Sequence, residues 1–335
     1  MTGDSNGETG YANEMSQPAP GVRVSAAVPA SPKTTAPDGL KSEALRAALG
    51  TALTGKPAAL EAMLCRYGAG PHLRPNLKLA VALGAEIAQM PGPIARLLTR
   101  LGGNDAAPDT PEVFLPVAAA YGWAARLAAG LDQREAWSAL AALAADERAP
   151  VRLGTREALI AYAMRPEGAD ALLGIATEWL ENPQREDRYG TAGVVLEVLS
   201  DRRVLAALDD HDALFDYLSR ALAEIAEAPR AAERSDGRRR LLLSLPGAFA
   251  AVVVAHRAAD RGPEWLETAC IAARHPDVRG ALSDAILSLR QEQQGQGVAL
   301  IQRLRAALEG SAKPPRDPTL RRPSIGRGRD SRRMK

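Results

Sequence analysis

The chain has 335 residues, of which 46% are hydrophobic and only 4% aromatic, with a formal charge of +2. That length and apolar share allow a sizeable core, while two cysteines, Cys65 and Cys270, in neither a CxxC nor a metal-ligand spacing, exclude a disulfide framework. The N-terminus lacks the apolar segment of a signal peptide, and the longest uncharged run, Leu241–Ala255, contains Pro246 and is too short to span a bilayer, so the expectation is a cytoplasmic protein.

Residues 1–39 are rich in Gly, Pro, Ser, Thr and Ala and show no periodicity, which predicts a disordered tail. From residue 40 the pattern is helical, with segments over 57–67, 76–90 and 93–101. The stretch Gly50–Lys56 faintly resembles a phosphate-binding loop. Pro57 stands where that loop needs Ser or Thr for magnesium, and no strand precedes it, so it reads as a helix ending at Gly55 and another opened by Pro57. Residues 102–109 (GGNDAAPD) are the best internal boundary of a domain over 40–310.

Thr110-Pro111 is a helix start, and Asp132 with Glu135 has capping-box spacing. Beyond them, apolar stripes at i, i+3, i+4, i+7 recur: Leu172, Ile175, Ala176, Trp179; Ala192, Val195, Leu196, Leu199; Leu214, Phe215, Leu218, Leu222, Ile225; Val278, Leu282, Ala285, Ile286, Leu289. Breakers punctuate them at Gly130, Asn182-Pro183, Gly262-Pro263 and His275-Pro276, and residues 228–237 read as a long loop. No run alternates as a half-buried strand would. The fold class is therefore all-α.

One pattern returns before several of these stripes. Asp146, Val151 and Arg152 precede Ala158 and Leu159, while Asp277, Val278 and Arg279 open the last long helix. Asp187 and Arg188, followed by Tyr189, form a partial copy, and Arg238-Arg239-Arg240 before LLLSL a weaker one. These residues resemble the HEAT-repeat (armadillo-like) family, in which a turn Asp and a Val-Arg pair open the second helix of each hairpin. The resemblance implies an α-solenoid of stacked antiparallel helix pairs, each burying a face that one pair alone cannot bury. It implies a scaffold or binding surface, and it carries over no catalytic residue.

Chemistry-bearing motifs are few. His72, His211, His256 and His275 are isolated in sequence, HExxH is missing, and no Gly-x-Ser-x-Gly elbow occurs. The expectation is a non-enzyme with no cofactor and no metal. Arg230, Arg234 and Arg238, spaced by four, would form one basic face if helical. From Ser311 to Lys335 nine Lys or Arg and two Asp give +7, leaving −5 for the rest. This tail is expected to be disordered, and Arg321, Arg322, Arg327, Arg329, Arg332 and Arg333 offer sequence-independent phosphate contacts without aromatic stacking. The sequence thus favours a non-catalytic helical-repeat scaffold binding a protein partner through one helix face. The alternative is a nucleic-acid-binding or HEAT-like DNA base-repair protein using the basic tail.

Overall fold

The computed structural model describes residues 42–68, 74–90, 94–258, 260–292 and 297–311. They form fifteen helices and no strand: α1 (Ser42–Leu53), α2 (Ala58–Gly68), α3 (Leu77–Gln89), α4 (Ile94–Gly102), α5 (Phe114–Ala128), α6 (Gln133–Ala145), α7 (Ala149–Ala163), α8 (Gly168–Glu181), α9 (Arg188–Leu199), α10 (Arg202–Ala207), α11 (His211–Ala226), α12 (Asp236–Ala255), α13 (Arg261–Ala272), α14 (Pro276–Glu292) and α15 (Val298–Gly310). The two tails expected to be disordered lie outside the described residues, apart from Ser311.

Local chemistry sets most boundaries. Asn76 accepts the Leu79 amide at 3.3 Å, Asp201 the Arg203 amide at 2.9 Å, Asp210 the Ala213 amide at 2.9 Å and Ser235 the Arg238 amide at 3.2 Å. Each satisfies one of the donors a helix start leaves without an intrahelical partner. Gly55 adopts φ +89 where α1 ends, and Pro57 immediately precedes α2, as the sequence predicts. The capping box at Asp132 does not form. Asp132 takes a left-handed conformation at φ 47, and its carboxylate faces the buried Arg126 guanidinium at 2.7 Å instead. A buried cation draws a carboxylate more strongly than an exposed backbone amide does.

Packing follows the order α3 on α5, α5 on α7, α7 on α9, α9 on α12 and α12 on α14. The remaining helices bridge these, with α4 and α6 on α5, α8 on α9, α13 on α12 and α15 on both α13 and α14. Val151 and Val278, expected to start buried stripes, are buried, as are Ala158, Leu159 and Leu196. Trp123 and Trp179 lie in the core, while Trp137 and Trp265 are half-buried against it.

Two helices depart from simple amphipathic patterning. In α9 every residue from Tyr189 to Leu199 except Glu197 is buried, and in α5 every residue from Phe114 to Leu127 except Ala125. A helix apolar all round is a central one. Glycine makes the closeness possible: a Cβ at Gly154 of α7 would sit 2.6 Å from the Val117 side chain of α5, and one at Gly68 would overlap the Phe114 ring.

Candidate functional site

The residues of the returning Asp-Arg pattern hold turns together. Asp146 ends α6 and grips Arg148, with Nη2–Oδ2 at 2.6 Å, while Arg148 also donates to the carbonyls of Asn104 and Ala106 at 2.7 and 3.0 Å. Asp187 binds Arg185 at 2.6 Å, and Arg188 reaches Glu224 of α11 at 3.1 Å. Asp277 binds Arg238 of α12 at 2.7 Å, and Arg279 meets the Ser311 hydroxyl. Neither Val-Arg arginine, Arg152 or Arg279, forms an ion pair among the described residues. Arg152 donates to the carbonyls of Asp146 and Glu147 in its own turn, at 2.9 and 2.7 Å.

The expected basic face does not form either. Arg230 and Arg234 lie in exposed turns before α12 begins, whereas Arg238 is inside it and only 3% exposed. Its guanidinium is committed to Asp277 and to the Ile225 carbonyl at 3.1 Å. A buried guanidinium needs such partners, which removes it from any solvated strip. Arg321, Arg322, Arg327, Arg329, Arg332 and Arg333 lie outside the described residues.

Sequence isolation of the histidines hides a pair. His211 at the start of α11 and His256 at the end of α12 bring their rings to 4.4 Å, and Phe215 lies 5.4 Å from His256. His211 Nδ1 and His256 Nε2 are buried without a partner among the described residues. Burial first, and then His211, hold the His256 imidazole below its ordinary value of 6.5. No local motif signals this pair, because its members come from adjoining helices and meet only through tertiary packing. Among the described residues no group of three or more metal-ligating side chains exists.

A more open feature lies one helix away. Between α11 and α13 runs a groove of about 350 Å³ walled by Leu222, Ala223 and Ala226 on one side and Trp265, Ala269 and Ala272 on the other. Its polar wall groups are already occupied. Ser219 donates to the Phe215 carbonyl at 2.8 Å and accepts the Trp265 indole N–H at 2.9 Å, and Thr268 donates to the Glu264 carbonyl at 2.9 Å. Arg274 and His275 close one end, where Arg274 donates to the carbonyls of Ile271 and Ala273 at 2.8 and 3.2 Å. His275 accepts the Asp277 amide at 3.2 Å, so it caps this turn, as its place before Pro276 predicts. The groove thus offers apolar surface and small side chains, with its wall hydroxyls and indole N–H internally bonded and one cation, Arg274, at its end. Its only sequence trace is the three-residue spacing of Ala223 with Ala226 and of Ala269 with Ala272, which reads equally well as helix packing.

Among the described residues no helix is long and apolar enough to cross a membrane. No protein family, no curated protein and no solved structure matches the chain.

Proposed function

We propose that the chain is a HEAT-like helical-repeat scaffold, an armadillo-like α-solenoid without catalytic activity, that binds an apolar helix of a partner protein in the groove between α11 and α13. Three features support the repeat reading. The helices pack in the order α3, α5, α7, α9, α12, α14. An Asp-Arg element stands at the start of α7, α9 and α14. The Arg238–Asp277 pair ties consecutive helix pairs together.

The groove carries the binding reading. Alanines face it from both α11 and α13, beside Leu222 and Trp265, and these small side chains let a third helix approach. The wall hydroxyls and the Trp265 indole are internally bonded, so recognition rests on apolar burial and shape. That favours an apolar helix over a nucleic-acid backbone, which requires a row of cationic donors where this groove is lined by one arginine, Arg274.

Groove filling tests this. Affinity purification of the full chain from its source cells, as wild type and as Ala223→Trp, should recover a stoichiometric protein with the first and not the second. Circular dichroism should show equal helicity. Equal recovery by both, or recovery of nucleic acid in place of protein, overturns the proposal.

A further inference from the structure

Arg152 of α7 and Arg240 of α12 meet over the C-terminal end of α6. Arg240 donates to the Asp146 and Ala145 carbonyls, both at 3.2 Å, beside the bonds Arg152 makes to Asp146 and Glu147. These acceptors are neutral. Of the other buried or half-buried arginines, Arg126, Arg148, Arg188 and Arg238 have a carboxylate in contact at 2.6–3.1 Å, while Arg279 meets the Ser311 hydroxyl. Among the described residues Arg152 and Arg240 take part in no ion pair. The carboxylates of Asp146 and Glu197 are near enough to favour the Arg152 cation but do not contact it, and partly buried cations side by side repel. Burial, and then Arg240, pull the Arg152 guanidinium below its ordinary value. The Arg240 Nε is buried with no acceptor among the described residues.

Both side chains line one hollow of about 220 Å³ floored by Gly190 and Gly193 of α9. Neither glycine puts a side chain into it. Leu243 stands at the mouth, 75% exposed. Glu197 and Ser244 also line it: Glu197 accepts the Ser244 hydroxyl at 3.1 Å and faces Arg156 at 3.7 Å, without contacting Arg152 or Arg240. The Asp146 carboxylate is held by Arg148.

We propose that this hollow binds the phosphate of a small phosphate monoester, with Arg152 and Arg240 bridging its oxygens. A tetrahedral dianion matches two guanidiniums arriving from different helices, whereas a planar carboxylate matches the fork of one. The hollow exceeds by severalfold the roughly 30 Å³ share of one water, leaving room for a phosphate and a short attached group. Two cations in a hollow of that volume suit one phosphate, not the row of phosphates that a nucleic acid presents. The assignment stands independently of the groove between α11 and α13.

Calorimetric titration of the full chain at constant ionic strength tests it, with inorganic phosphate, glycerol 3-phosphate and acetate as probes. The first two should bind saturably at one site, with acetate at least tenfold weaker. Arg152→Gln should lower phosphate affinity at least tenfold. Leu243→Glu, at an exposed position outside the core, should do the same by placing a carboxylate at the mouth. No saturable phosphate binding overturns the proposal, as does binding unchanged in Leu243→Glu. Acetate binding as tight as phosphate overturns the choice of phosphate, and displacement of phosphate by duplex DNA overturns the small-ligand assignment.

Discussion

Arg238 of α12 and Asp277 of α14 form an ion pair, Nη2–Oδ2 at 2.7 Å, in which the guanidinium is 3% exposed and the carboxylate 44%. The cation is inside the protein and its partner at the edge, so the pair joins α12 to α14 from within. Replacing the carboxylate leaves a buried charge with one carbonyl for company. Asp277→Asn is expected to cost about 1–3 kcal/mol, toward the lower end because solvent reaches Asp277. Urea unfolding measures it, and an unchanged midpoint would show that the pair does not tie the helices.

Leu196 sits in α9, the helix that packs on α6, α7, α8 and α12, and it is fully buried. Leu196→Ala should remove about 2–5 kcal/mol, the transfer term plus the cavity left behind. Leu196→Asp should leave no cooperative thermal transition, since a carboxylate there has no partner. A wild-type melting profile for either would mean that this stripe is not core.

The histidine pair gives a pH dependence whose sign follows from its environment. His256 is held below 6.5 in the folded chain by burial and by His211. The unfolded chain therefore takes up the proton first. Stability from this group is complete above about pH 6.5 and lost as pH falls through the lower folded value. Melting temperature should drop between pH 7 and 5, and His256→Gln should drop less. Equal slopes would remove His256 as the cause.

Helix positions and the buried stripes were legible because each rests on local spacing: Asn76, where a helical segment is read to begin, caps the helix that follows, and Val151, Leu196 and Val278 lie on faces that the 3.6-residue period selects. What the sequence could not resolve was partner choice. Asp132 has the right spacing for a cap but a stronger partner in Arg126, and Arg238 has the spacing of a basic strip but is buried by the fold. His211 with His256, Arg152 with Arg240, and the two alanine walls of the groove join residues from separate helices. Such meetings depend on how helices stack, which periodicity along one chain does not encode.

Thiol chemistry checks burial separately. Cys270 is fully buried, and that burial, followed by Glu267, pushes its thiol up to about 11. Cys65 is half-buried, and burial also raises it. Under native conditions at pH 8, iodoacetamide should label Cys65 slowly and Cys270 far more slowly, with both reacting fast in denaturant. Rapid native labelling of Cys270 would contradict the packing of α13.

The groove between α11 and α13 is tested most directly by site-specific photo-crosslinking. With a diazirine side chain no larger than leucine at position 272, inside the groove, irradiation in the source cells should give one dominant adduct on an apolar helical segment of another protein. The same probe at Ile271, which is exposed and outside the groove lining, should not. Adducts of equal yield from both positions, or none from position 272 in folded protein, would contradict the account.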